Sequence, residues 1–115
     1  LKESLEMYRE VYGKGTAHPD VAKILNVLGV TYVNWGKPGE SIEYLQQGVA
    51  MKRSFYGDYN ESVALDFFNL TQAHLRLGNM EKARQTGQEA LDIYHIINPE
   101  HDHVTSLYEI LIPDA

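Results

Sequence analysis

Cysteine is absent from this chain of 115 residues. Its absence excludes disulfide scaffolds, thiolate metal sites and cysteine nucleophiles together, and it suits a cytoplasmic protein. Long apolar runs are also absent, since no stretch approaches the ~20 residues that a membrane-spanning helix needs. The chain begins with Leu1 rather than Met, so we expect a segment of a longer protein. These absences together predict a cytoplasmic chain with no membrane contact.

Positive charge is in the minority, with 10 Lys and Arg against 16 Asp and Glu and a net charge of −6. A nucleic-acid-binding face has to be basic, because its cations displace the counterions of the phosphates. The eight Tyr and the single Trp lie at helix-packing spacings, which does not favour base stacking. We therefore predict that the chain does not bind nucleic acid.

The amino-acid sequence is organised as a repeat of 42 residues. Identical residues recur at that distance, as Leu28 and Leu70 or Gly36 and Gly78 do. A period in this range is typical of a solenoid, in which each unit buries its apolar face against its neighbours. We predict one domain over 1–115, with the second half of a preceding repeat at 1–17, repeats at 18–59 and 60–101, and a partial repeat or capping helix at 102–115.

Each unit contains two helical patterns. Apolar residues recur every three or four positions, Pro19 and Pro38 suit first helical positions, and no stretch alternates as a strand does. Asn60 is a good N-cap, and Asn79 is expected to cap the following helix. The pattern predicts an all-α chain of six antiparallel helices, the first at 1–12. The stripes predict inward positions for Trp35, Leu77, Ile96, Ile97 and Tyr108, whereas Glu40, Glu43 and Asp66 are interpreted as helical surface charge.

The first unit resembles the tetratricopeptide repeat in its order of large, small and aromatic residues, which are Leu28, Gly29, Tyr32, Gly36, Ser41, Leu45 and Gly48. The longer period, with Y-G and H-P-D-V-A-x-x-L-N-x-L-G-x-x-Y between hairpins, resembles the kinesin-light-chain-type version, also found in nephrocystin-3-like proteins. The second unit departs from the pattern at Thr71, His74 and Gly87. The resemblance implies a helical-hairpin solenoid, a right-handed α-α superhelix, cut from a longer array.

The resemblance also implies a function, because in this family the first helices of the hairpins line a concave groove that holds an extended peptide or a partner helix. Carried over by position, the groove residues are Lys23, Asn26, Val30, Val33, Asn34, Leu65, Phe68, Gln72, Leu75 and Arg76. Asn26 and Gln72 would bind peptide amides, Lys23 and Arg76 a carboxylate, and Leu65 and Phe68 an apolar side chain. The implied function is non-enzymatic binding of a protein or peptide partner.

Motifs for phosphate binding, metal binding and catalysis are incomplete or have another explanation. The phrase G-K-G-T at 13–16 lacks the earlier glycine and the strand of a phosphate loop, so it predicts a turn. His95, His101 and His103 with Asp102 suggest a metal site, but residues two apart point to different sides of a helix, and a polar helix start also explains them. His74 fits a core histidine. We predict no catalytic residues, no metal and no cofactor.

The alternative function is a structural scaffold or self-association element of a larger protein. Both ends of the chain carry apolar stripes, with Leu1, Leu5 and Tyr8 at one end and Leu107 and Leu111 at the other. Terminal repeats normally need polar caps for solubility. We therefore expect a homo-oligomer that forms through exposed terminal helices.

Overall fold

Five α-helices follow one another in the computed structural model, which describes residues 19–112. They are α1 (Pro19–Asn34), α2 (Pro38–Tyr56), α3 (Glu61–Arg76), α4 (Met80–Ile97) and α5 (Asp102–Leu111). Each helix packs on the next, α1 also contacts α3, and no strand occurs between residues 19 and 112. The all-α prediction is confirmed, while the sixth predicted helix, at 1–12, lies outside the described residues.

The two hairpins have matching geometry. The first residues of α1 and α3 are 42 positions apart, and so are those of α2 and α4. Gly36 and Gly78 end the first helix of each hairpin with φ of 76° in both cases, a backbone region that glycine enters without strain. The following amide of Lys37 donates to the Tyr32 carbonyl at 2.8 Å, and the equivalent bond from Asn79 to His74 is 2.9 Å. The 42-residue sequence repeat is therefore also a structural repeat.

Side chains cap the helices of the second hairpin as predicted. The Asn60 side chain accepts a hydrogen bond from the backbone N–H of Ser62 at 2.8 Å, and Asn79 accepts one from Lys82 at 3.3 Å. Pro38 begins α2, where its missing N–H leaves no partner unsatisfied. Local sequence signals thus set the helix starts.

The core follows the predicted stripes except where helices end. A large cluster joins α2 to α5 through residues such as Leu45, Phe67 and Leu107, and a smaller one lies on α1. The inward prediction is wrong for Trp35, Leu77, Ile96, Ile97 and Tyr108, all of which are exposed. Trp35 and Leu77 come directly after the last residues of α1 and α3, so they follow the turn and not the buried stripe.

The contact between the two helices of a hairpin is built in opposite ways in the two repeats. In the first, a Cβ added to Gly29 would be only 2.5 Å from Leu45 Cγ, so the glycine makes room for the leucine. In the second, the larger residue is Thr71 on α3, and the glycine is Gly87 on α4. A Cβ on Gly87 would make ordinary contacts of 3.5 Å with Thr71 and 3.6 Å with Leu107 and Leu111 of α5. Two of the three departures of the second unit from the family pattern, Thr71 and Gly87, therefore compensate each other.

We predict opposite effects for alanine at the two glycines. Gly87→Ala should stabilise the protein by up to about 1 kcal/mol, because alanine favours the helix and its methyl group fits. Gly29→Ala should destabilise it by about 1–3 kcal/mol, because the methyl group would displace the buried Leu45 side chain. Urea denaturation of both variants checks this, and an equal effect of the two changes would contradict the packing described here.

A buried ion pair joins the two repeats. Asp66 of α3 is fully buried, which corrects its interpretation as surface charge, and Lys52 of α2 is 5% exposed. The Lys52 Nζ lies 3.1 Å from Asp66 Oδ2, and Asn26 Nδ2 of α1 donates to Asp66 Oδ1 at 2.5 Å. Burial raises the pKa of Asp66, while the charge of Lys52 and the hydrogen bonds from Lys52 and Asn26 act to lower it. Three helices thus depend on one carboxylate, which needs both partners to remain charged.

Replacing one partner of this pair should lower the free energy of unfolding far more than replacing both. Lys52→Met should destabilise the protein by about 3–5 kcal/mol, because it leaves a buried carboxylate uncompensated, whereas Lys52→Met with Asp66→Leu should be much closer to neutral. Loss of Lys52 raises the pKa of Asp66 in the folded state further. The loss of unfolding free energy relative to wild type should therefore become smaller as pH falls towards that pKa. Urea denaturation of the wild type and the variants between pH 7 and pH 4 measures this difference in unfolding free energy. A difference that becomes larger on acidification would be inconsistent with this pairing.

Candidate functional site

A shallow hollow of about 190 Å³ lies between α1 and α3. We call it the α1–α3 groove, and its lining residues are Val30, Val33, Asn34, Asn69, Gln72 and Arg76. Residues 30, 33 and 34 share one face of α1, and 69, 72 and 76 share one face of α3, because each set is spaced by three or four positions. The hollow therefore combines an apolar floor with three carboxamides and one guanidinium.

Arg76 is the charged group of the groove. Its Nη1 donates to the backbone carbonyl of Val33 at 2.6 Å, which fixes the guanidinium across the ends of α1 and α3. The carbonyl takes one of five N–H donors. No carboxylate pairs with Arg76 among residues 19–112. The groove thus offers a positive charge in a chain whose net charge is −6.

Asn26 is held by the protein itself. Its Nδ2 donates to Asp66, and because an ionised carboxylate only accepts hydrogen bonds, this contact also fixes which way the carboxamide points. Asn26 remains partly exposed, and its Oδ1 appears in no hydrogen bond of the described structure. The residue expected to bind a peptide backbone is therefore oriented by the buried ion pair, with its acceptor oxygen uncommitted.

Phe68 lies away from the hollow. Its ring stacks on His103 of α5 at a centroid distance of 3.8 Å and an interplanar angle of 2°. Leu65, one turn earlier, is 36% exposed. Phe68, predicted as an apolar anchor, therefore packs against α5, while Leu65 still presents an apolar surface on α3.

The structure brings together five of the ten predicted residues, namely Val30, Val33, Asn34, Gln72 and Arg76. Lys23 is exposed and Leu75 half-buried, but neither lines the hollow. Asn69 lines it and was not predicted, because carry-over by repeat position selected its neighbour Phe68. The helical period contained the missing signal, since Asn69 lies three residues before Gln72 on the same face.

A second hollow, of about 480 Å³, lies between α4 and α5. Its lining residues are Arg84, Gln88, Leu91, His95, Tyr108, Leu111 and Ile112, and we call it the α4–α5 surface. Exposed apolar side chains mark this region, with Ile112 52% exposed and Tyr108 42% exposed. This end of the described chain has an apolar surface that nothing in residues 19–112 covers.

Three of the histidines, His95, His101 and His103, take part in helix capping or aromatic packing. His101 is the N-cap of α5, and its Nδ1 accepts a hydrogen bond from the backbone N–H of His103 at 3.0 Å. His74 is buried, and burial lowers its pKa, with the charge of Lys82 lowering it further. In the described residues, no three His, Asp or Glu side chains are arranged to hold a metal ion. None of the described helices is both long and apolar enough to cross a bilayer.

Comparison with protein families gives two matches, both described as tetratricopeptide repeat. One covers residues 22–55 and the other residues 40–95. The matched region contains α2 and α3 completely and nearly all of α1 and α4. The two matches therefore run through both hairpins described above.

Several curated proteins are similar over most of the chain. The clustered mitochondria protein homolog of Aspergillus oryzae is 27% identical over 109 residues, which is 93% of this chain and 9% of that protein. The homolog of Coccidioides immitis is also 27% identical over 109 residues, or 8% of its length. The chain therefore spans less than a tenth of the length of these relatives.

A solved structure shares the fold. BtubC (BKLC) from P. vanneervenii superposes with a TM-score of 0.74 and 22% sequence identity, over 96% of this chain and 46% of the other. The repeating hairpins, the turn glycines and the family matches agree with one another. The chain belongs to the tetratricopeptide repeat family, whose repeats serve protein interaction or scaffolding.

Proposed function

We propose that the α1–α3 groove binds an extended segment of a partner protein. The observation that carries the proposal is Arg76, a guanidinium held against the Val33 carbonyl with no carboxylate beside it in the described structure. Such a group is already ordered before a ligand arrives, so little side-chain entropy is lost on binding. A carboxylate of the partner is the group that matches the remaining donors of Arg76.

The other groups of the groove suit a peptide backbone. Asn34, Asn69 and Gln72 each carry both a donor and an acceptor, which is what the amides of an extended chain require. Val30 and Val33 provide a floor for one apolar side chain. One turn away, Asn26 would accept a hydrogen bond from a peptide N–H, because its own NH₂ group faces Asp66. The proposed ligand is thus an extended, acidic segment with at least one apolar residue.

The side chains of the α1–α3 groove also bear on whether the protein is an enzyme. We infer a non-enzymatic module, because the groove contains a single titratable side chain, Arg76, and an arginine does not exchange protons near neutral pH. The lack of cysteine and the acidic balance support a cytoplasmic setting without nucleic acid or membrane partners. Within a longer protein, the module would recruit a partner without altering it chemically.

The test is selection of a ligand followed by groove substitutions. Random 12-residue peptides displayed on phage should yield sequences with an acidic residue near an apolar one. Arg76→Glu should weaken binding of a selected peptide by about 10–100-fold, because a charge-assisted hydrogen bond is replaced by repulsion. Isothermal titration calorimetry measures the change.

Two controls separate the groove from the rest of the surface. Arg84→Glu makes the same charge change on the α4–α5 surface and should leave the affinity unchanged. Gln72→Ala should weaken binding by a smaller factor without reversing a charge. If Arg84→Glu weakens binding as much as Arg76→Glu does, the peptide site is not the α1–α3 groove.

We also propose a second candidate function, self-association through the α4–α5 surface. The observation that favours it is the pair of exposed apolar side chains there, since Ile112 is 52% exposed and Tyr108 is 42% exposed. The apolar stripe at Leu1, Leu5 and Tyr8, which lies outside the described residues, is the expected partner from a second copy.

Light scattering coupled to size-exclusion chromatography tests this second candidate. At about 100 μM the chain should elute as a dimer or larger species, and Ile112→Asp should shift it towards the monomer by placing a charge in the apolar contact. Arg76→Glu serves as the control and should leave the mass unchanged. A monomer at that concentration would remove self-association while leaving the peptide proposal intact.

A further inference from the structure

Histidines provide every polar side-chain link between α5 and the rest of the described chain. Tyr94 Oη of α4 lies 3.0 Å from His103 Nδ1, and His101 Nε2 lies 3.4 Å from Glu61 Oε1 of α3. The remaining link joins Tyr108 of α5 to His95 of α4 at 2.9 Å. The earlier helices use other residue types, as in the contacts of Asp66 and Arg76. Protonation of these histidines would therefore act directly on the contacts that attach α5.

The cap of α5 requires a neutral histidine. His101 Nδ1 accepts the backbone N–H of His103, so this nitrogen carries no proton and the ring hydrogen is on Nε2, towards Glu61. A proton on Nδ1 would remove the acceptor and leave the first turn of α5 uncapped. It would also place a positive charge at the positive end of the helix dipole. The Glu61 carboxylate acts in the opposite direction, but it is exposed to solvent.

His103 is the second histidine at this junction. Its ring lies flat on Phe68 of α3, and Tyr94 of α4 hydrogen-bonds to it. Tyr94 is fully buried, and burial with the nearby charge of Glu61 raises its pKa to about 12, so it stays a neutral phenol. Two uncharged aromatic side chains, one on each neighbouring helix, therefore lie against the partly buried His103 ring.

Most of the surroundings of His103 disfavour its protonation. Burial lowers its pKa, the neighbouring His101 lowers it further, and Asp102 and Glu61 partly oppose both effects. The ring centroids of His101 and His103 are 4.6 Å apart, so two imidazolium ions would repel each other. Docked α5 binds protons less readily than free α5, so docking is strongest above the ordinary histidine pKa of about 6.5 and weakens as pH falls through it.

We propose that His101 and His103 form a proton-sensitive latch, which holds α5 on α3 and α4 near neutral pH and releases it on mild acidification. Release uncaps α5 and exposes its buried residues Val104 and Leu107, together with Tyr94 of α4. The same step dismantles the α4–α5 surface, since Tyr108, Leu111 and Ile112 supply one side of it. The latch thus makes one end of the repeat array responsive to pH and leaves the α1–α3 groove in place.

Hydrogen–deuterium exchange measured by mass spectrometry tests the latch on the full chain. Protection factors, corrected for intrinsic exchange at each pH, are compared at pH 7.5 and pH 5.0. Protection of α5 relative to α2 should be partly lost at pH 5.0, because docked α5 holds the His103 ring in its neutral form against Phe68 and Tyr94. Equal protection of α5 at the two pH values would overturn the proposal.

A double variant and a single control variant show which histidines are responsible. His101→Asn keeps a neutral cap, and His103→Phe keeps a ring on Phe68, so the double variant should hold α5 with little change between the two pH values. His95→Gln, which alters only the exposed contact with Tyr108, should retain the full wild-type change. Loss of the pH effect in His95→Gln, or its persistence in the double variant, contradicts the latch.

NMR of the wild-type chain tests the latch even if α5 fails to pack on α3 and α4 in the double variant. The His103 ring protons of the wild-type chain, followed by NMR, should titrate below pH 6.5 together with the α5 amide signals. Titration of His103 without any change in those amides would also contradict the latch.

Discussion

The buried carboxylate of Asp66 is the contact on which the arrangement of the two repeats depends. It receives Lys52 from α2 and Asn26 from α1 while it sits on α3, so it links the first hairpin to the second. Apolar packing alone tolerates small slides between helices, whereas an ion pair out of water tolerates none without a large cost. Because desolvation offsets the direct attraction, we infer that the main contribution of the pair is to specify one stacking geometry. The spacing between α1 and α3 follows from it.

The α1–α3 groove is a consequence of that spacing. Arg76 reaches the Val33 carbonyl only because the ends of the two helices are held side by side. Two different contacts hold the side chains on this face. Asn26 is bonded to the buried Asp66 carboxylate, and Arg76 is bonded to the backbone carbonyl of Val33. Both side chains are thereby ordered by the protein, and each still has hydrogen-bonding groups left over. This is the side-chain order that the proposed binding of a chain segment requires.

The sequence predicted the elements that repeat, and it failed where the repeats differ. Gly36 and Gly78 marked the turns, and Asn60 and Asn79 marked the helix starts, because a single residue dictates each of those conformations. Asp66 was misassigned because its charge was taken to mean exposure, although its counterpart in the first repeat is Ile24, which packs against the core cluster of α1. Thr71 and Gly87 looked like two defects because each was compared with the family pattern separately. Their compensation appears only when α3, α4 and α5 are seen together.

Amino-group NMR of Lys52 tests the central claim most directly, because the signal of a lysine ammonium disappears when its protons exchange rapidly with water. The account predicts a visible, slowly exchanging Lys52 ammonium signal at pH 7, together with protected carboxamide protons of Asn26. Both should be lost when Asp66 is replaced by asparagine, and the exposed Lys23 and Lys82 should show no such signal in any sample. A Lys52 ammonium that exchanges as fast as those of the exposed lysines would show that the repeats are not joined through this pair.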